Sequence, residues 1–120
     1  MPHLIVEHSN AMSQAAAESL CARLAESLGG HRNSDGGHEF PVSGTYVRTL
    51  LVEATHHSAG TGEFGFIHAV LKIGAGRDEA TKMRTGRALL AALASSFDSA
   101  NKPDITLEIQ EFSPQFTWRG

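Results

Sequence analysis

The 120-residue sequence has one cysteine, Cys21. A bridge within the chain needs two thiols, so no internal disulfide framework exists. Cys21 falls in an Ala/Leu-rich stretch and is expected to pack as a small buried hydrophobe rather than serve as a nucleophile. No apolar run approaches the ~20 residues that cross a bilayer. The chain does not open on a basic segment followed by an apolar core, so no signal peptide is expected and the expected compartment is the cytoplasm. Positive charge is not in excess: Lys+Arg total 10 against 13 Asp+Glu, a net charge of −3. That balance argues against nucleic acid or a membrane surface as a partner. Low-complexity segments are absent. Of the motifs that carry chemistry, H-x-x-x-H on a helix and C-x-x-C are missing, so no metal site is expected despite seven histidines. The G-x-S-x-G nucleophile elbow is missing too, which argues against nucleophilic hydrolysis. The string GTGEFG matches G-x-G-x-x-G through Gly60, Gly62 and Gly65. It precedes a strand instead of following one, so it reads as a loop and not as a dinucleotide site.

What is present is the pattern of a single globular domain spanning 1–120, with 41% hydrophobic and 19% charged residues. Residues 3–8 (HLIVEH) read as a strand. Ser9 and Asn10 are candidate N-caps for a helix that ends near Leu28, with Met12, Ala16, Leu20, Leu24 and Leu28 spaced by four and Gly29-Gly30 as the stop. A loop at 29–39 leads to a second strand at about 44–54, where Tyr46, Arg48, Leu50 and Val52 share one face. After a loop at 55–63, a third strand covers about 64–73. A Gly74-Ala75-Gly76 turn then precedes a helix at about 78–99, with Met83, Leu90, Leu93, Ala94 and Phe97 on its apolar stripe, and a last strand at about 104–112.

The order is β-α-β twice, a pseudo-repeat of about 2–54 and 64–113. Right-handed crossovers make each half a parallel pair. Joined, they predict an α+β (α/β two-layer) fold: a four-stranded sheet with two helices on one face. Phe64, Phe66, Ala69 and Leu71 make the third strand apolar on both sides, so the bare sheet face is expected to pack on another subunit.

Two features point to chemistry. The first is Pro2. If Met1 is removed, its nitrogen becomes a secondary amine whose direction is fixed by the ring. An α-amino group ordinarily titrates at about 7.7–8.0. A cation ~6 Å away, at an effective dielectric of ~20, opposes the ammonium form by about 2.8 kcal/mol, enough to leave a free base near neutral pH. The second is Lys72-Ile-Gly-Ala-Gly-Arg77, a strand end and glycine turn that set an arginine at a helix N-terminus. It reads either as a solvated arginine on an ordinary turn or as a bidentate clamp for a carboxylate or phosphate. Arg48, in mid-strand among apolar neighbours, is either paired with Glu53 or Glu7 or aimed at a cavity.

MPHLIVEHS, FPVSG, FGFIHAVLKIGAGR and ITLEIQEFSPQFTW together resemble the tautomerase superfamily and, within it, the 5-carboxymethyl-2-hydroxymuconate isomerase family. The resemblance spans essentially the whole chain. It implies a homotrimer with sites at subunit interfaces, no cofactor, and a cofactor-independent isomerase of aromatic compound catabolism. The implied substrate is a dicarboxylate or tricarboxylate dienol. Pro2 matches the family's amino-terminal proline base and Arg77 the arginine of the IGAGR turn. Tyr46 aligns with an arginine that usually follows the family's FP segment; Arg48, two residues on, corresponds to a second family arginine or substitutes for the first. Pro2 and Arg77 are thus the expected catalytic pair, with Arg48 and Tyr46 binding substrate. The alternatives are another activity of the superfamily (a different 2-hydroxydienoate tautomerase, a decarboxylase or a dehalogenase, with Glu7 or Glu108 as a water-activating acid) and a non-enzymatic trimeric binding protein.

Overall fold

The computed structural model describes residues 2–9, 12–41, 43–52, 65–97 and 103–120. Six elements follow in the expected order: β1 (His3–His8), α1 (Gln14–Gly29), β2 (Tyr46–Leu51), β3 (Phe66–Ile73), α2 (Glu79–Ser95) and β4 (Asp104–Glu111). The sheet order is β2-β1-β3-β4. β1 pairs parallel with β2 and β3 parallel with β4, while β1 and β3 meet antiparallel. Each β-α-β half is therefore a parallel pair, and the two join through their first strands. α1 packs toward β2, α2 toward β4, and the helices touch each other. No described helix is long and apolar enough to cross a membrane.

The period-2 pattern of the strands sorts the residues between layers. Leu4 and Val6 of β1 and Ile67, Ala69, Leu71 and Ile73 of β3 are buried beneath Leu20, Leu24 and Leu28 of α1 and Leu89 and Leu93 of α2. Each of the leucine, isoleucine and valine side chains removed from water contributes roughly 1.5–3 kcal/mol. Phe40, from the connection between α1 and β2, joins this core and is fully buried.

The opposite sheet face carries rows of mixed character. Tyr46, His3, Lys72 and Gln110 lie in one register row, and Arg48, Ile5, Val70 and Glu108 in the next. This corrects the two-sided apolar reading of the third strand. Ala69 and Leu71 face the helices, whereas Phe66 and Val70 share the open face with His68 and Lys72. Phe64, Glu53 and the 55–63 loop, with Gly60 and Gly62, lie outside the described residues.

Three features differ from expectation. α1 is capped by Ser13, whose hydroxyl accepts from the Ala16 N–H at 3.1 Å. Ser9 is spent elsewhere: its Oγ accepts from the Phe66 N–H at 2.8 Å and closes the end of the β1–β3 ladder. The buried stripe of α2 is Thr85, Leu89 and Leu93, while Met83 and Leu90 are exposed. Thr85 tolerates burial because its hydroxyl donates to the Thr81 carbonyl at 2.8 Å. Cys21 is half-buried, not fully enclosed.

α2 is fastened at its start and to β4. The Asp78 carboxylate accepts from the Thr81 N–H at 2.8 Å, and Lys82 reaches Glu111 at 2.7 Å. The hydrogen bond from the Thr81 backbone, then that from its side chain, holds the Asp78 carboxyl below its ordinary value of 3.8. A lowered carboxylate stabilises the fold above its ordinary value and loses that contribution as pH falls through the lowered one. Asp78→Asn should therefore flatten part of the acid limb of a plot of Tm against pH. An unchanged acid limb in that variant would show that the cap carries no pH dependence.

Candidate active site

Pro2 is buried directly before β1, and its carbonyl accepts from the Tyr46 N–H at 3.0 Å. The first backbone position of the sheet is thus tied to the start of β2. A proline suits it, because a strand's first residue can forgo a donor to the ladder.

The neighbouring His3 points onto the open sheet face. Its ring stacks on Tyr46 with centroids 5.2 Å apart and planes at 25°, and meets Phe112 edge-on at 6.2 Å. Arg48 Nη1 lies 3.3 Å from His3 Nδ1. A guanidinium can only donate, so Nδ1 is the acceptor in this contact. Tyr46, Arg48 and the residue next to Pro2 are thereby gathered at one corner of the open face. Of the partners considered for Arg48, Glu53 lies outside the described residues, and Glu7 makes no ion pair with it. Glu7 instead lines a cavity of about 200 Å³ with Ile5, His68, Val70, Lys72 and Gln110, farther along the same face. Glu108 is on that face too, on the edge strand.

Arg77 is placed by a different route. Gly76 has φ 110°, a left-handed conformation that favours glycine, and it turns the chain sharply off the end of β3. Arg77 then precedes the Asp78 cap, and Asp78 and Glu79 supply the negative charge that the helix N-terminus favours. The arginine turns away to the 31–40 connection. Its Nε donates to Glu39 Oε1 at 2.7 Å and its Nη2 to the Glu39 carbonyl at 3.1 Å. The guanidinium carbon lies 4.7 Å above the Phe40 ring, a cation–π arrangement. None of its described hydrogen bonds runs to Tyr46 or Arg48. Within the subunit, Tyr46 and Arg48 gather beside Pro2, while the hydrogen bonds of Arg77 run to Glu39 and Gly74.

Two residues escaped the sequence reading. His3 had a signal, since it follows Pro2 and shares the strand face that meets Tyr46. Glu39 had only its place before Phe40-Pro41, because its partner is 38 residues away. The connection that carries it is tightly built. Asn33 Oδ1 accepts from the N–H groups of Asp35 and Gly37, both at 3.0 Å, and the Glu39 N–H donates to the His31 carbonyl at 3.0 Å.

The sequence model of the family described as 5-carboxymethyl-2-hydroxymuconate isomerase matches residues 2–120. The 5-carboxymethyl-2-hydroxymuconate Delta-isomerase of Escherichia coli is 27% identical over 123 residues, covering 99% of this chain and 93% of that protein. The crystal structure of a 5-carboxymethyl-2-hydroxymuconate isomerase from Deinococcus radiodurans R1 superposes with a TM-score of 0.82 at 31% identity, covering 99% of this chain and 88% of that one. A fused 4-OT, described as a symmetric trimer, gives a TM-score of 0.74 at 15% identity over 94% of this chain and 88% of its own, a likeness of fold alone.

Proposed function

The chain belongs to the 5-carboxymethyl-2-hydroxymuconate isomerase family and is an isomerase of that type, and from this premise we propose that it ketonises a 2-hydroxymuconate-type unsaturated diacid, with the amino-terminal Pro2 as base and acid. The observation that carries the reading is the match from Pro2 to the last residue, combined with a buried Pro2 whose carbonyl is pinned to β2.

With Met1 removed, the Pro2 nitrogen takes the proton of the substrate's 2-hydroxyl. The O–H bond breaks, the C2=C3 and C4=C5 double bonds shift to C2=O and C3=C4, and the same nitrogen returns the proton to C5. Atoms and electrons balance without a co-reactant. Arg77 holds one carboxylate and stabilises the charge that develops on the dienolate. Arg48, with Tyr46, holds the other carboxylate. The described helices both cover the other face of the sheet, which leaves the face of Ile5 and Val70 for a neighbouring subunit. We therefore propose a homotrimer assembled through the open sheet face. The trimeric state of the fused 4-OT supports this assembly.

Ultraviolet absorbance of 2-hydroxymuconate dienols follows the reaction directly. Arg77→Ala should lose at least about 100-fold in kcat, the scale of removing one preorganised donor from a developing oxyanion. Wild type, Pro2→Ala and Arg77→Ala turning over at equal rates would remove the assignment.

A further inference from the structure

Arg77 is not a free clamp. A guanidinium has five N–H groups on a rigid planar fork. Here three are engaged: Nε and one N–H of Nη2 by Glu39, and one N–H of Nη1, at 3.4 Å, by the Gly74 carbonyl. Both Glu39 contacts lie along one edge of the fork. One N–H on each terminal nitrogen remains, and no described residue takes them. Two N–H groups on the terminal nitrogens are thus left for an anion, and those nitrogens are spaced to match the two oxygens of a carboxylate. The Phe40 ring supports the guanidinium plane at 4.7 Å. Glu39 is itself immobilised by the His31 carbonyl and the Asn33-centred turn.

We propose that Glu39 is a positioning residue for the isomerisation: it holds the edge of Arg77 so that the two remaining N–H groups are presented to the substrate carboxylate before binding. This rests on the functional reading above, in which Arg77 contacts substrate. A long arginine side chain left alone populates many rotamers, and ordering it on binding would cost affinity and alignment. With Glu39 and Phe40 in place that ordering is completed on folding. The ion pair has a second consequence: it balances the arginine's charge where its side chain is only 22% exposed, and the two unengaged N–H groups keep their full donor capacity.

The test is a double-mutant cycle in the full-length protein, with 2-hydroxymuconate as the substrate probe. Glu39→Ala should lower kcat/KM by about 10- to 100-fold, the scale of a misplaced substrate-positioning group. Glu39→Gln retains an oxygen acceptor at the Oε1 position and should stay within about threefold of wild type on the same scale. In the Arg77→Ala background, Glu39→Ala should cost nothing further, because the group it positions is gone. A brace that served folding alone would instead lower Tm and leave the kinetic constants of the folded enzyme unmoved. Should Glu39→Ala fail to fold, Glu39→Asp retracts the carboxylate by one methylene and should lose about tenfold with the same non-additivity. A Glu39→Ala enzyme with wild-type constants, or losses that multiply in the double variant, overturns this inference and leaves the functional reading standing. A wild-type protein that leaves the dienol unchanged overturns both.

Discussion

Extending the chain by one uncleaved residue before Pro2 should lower isomerisation by about 100- to 10,000-fold, the span a positioned general base contributes. The extension turns the Pro2 nitrogen into a tertiary amide with no basic lone pair. It leaves the β1 ladder intact, because Pro2 joins the sheet through its carbonyl, which accepts from the Tyr46 N–H whether or not its nitrogen is acylated. Circular dichroism should therefore be unchanged. Pro2→Ala should cost less, about 100-fold, at the lower end of the same span. It keeps an α-amine at the site and loses the ring that fixes its direction. The pH profile supplies an independent readout. A base must be unprotonated to work, so kcat/KM should rise as pH climbs through the amine's titration. An arginine nearby disfavours the ammonium form, and this moves the rise to lower pH than a free α-amine would give. Arg48, whose guanidinium contacts the residue next to Pro2, is the candidate for that effect within the subunit. Arg48→Ala should shift the rise upward. Intact-mass measurement completes the test: the active species must be lighter by one methionine residue. A sample with Met1 fully retained that still isomerises substrate would end the proline mechanism.

The layer architecture was legible because it needs few residues. Leu4 and Val6 alternate with His3, Ile5 and Glu7, the leucines of α1 recur every four, and right-handed crossovers leave little choice in pairing. Local competition was harder to read. Ser9, Asn10 and Ser13 are all good caps, and Ser13 caps α1 while the Ser9 hydroxyl serves the Phe66 N–H, a partner 57 residues away. Thr85 is a core position that residue type does not announce, since threonine is polar and its burial depends on a hydroxyl satisfied by one helical turn of backbone. The site divides in the same way. Pro2, Arg48, Tyr46 and Arg77 could be singled out by residue type and placement on a strand end or turn. The contacts that orient them (His3 against Arg48, Glu39 along the edge of Arg77) depend on which loop folds over which strand. Residue chemistry alone does not supply that.

Phe40 is where the core and Arg77 share an atom set, and Phe40→Ala should be among the most damaging single substitutions. The ring has no exposed surface. Truncating a buried phenylalanine removes its transfer free energy and leaves a cavity, together about 3–5 kcal/mol. Against a total of ~5–15 kcal/mol for a domain of this kind, that is a large share. At fixed protein concentration Tm should fall by on the order of 10 °C. The same ring is the platform beneath the Arg77 guanidinium, so the substitution has a second effect that stability does not report. Phe40→Leu separates the two. It refills most of the volume, recovers all but about 1.5 kcal/mol of the stability, and offers no π face to the arginine. If the platform helps to hold the fork, Phe40→Leu should lose activity in the folded enzyme at a temperature where it is as fully folded as wild type. The loss should vanish in the Arg77→Ala background, as it does for Glu39. A Phe40→Ala protein melting within about 2 °C of wild type, less than the shift that 1 kcal/mol produces in a domain of this size, would contradict the packing argument. A Phe40→Leu enzyme with wild-type kinetics would assign the ring to the core alone and leave Glu39 as the only residue that orients Arg77 from this connection.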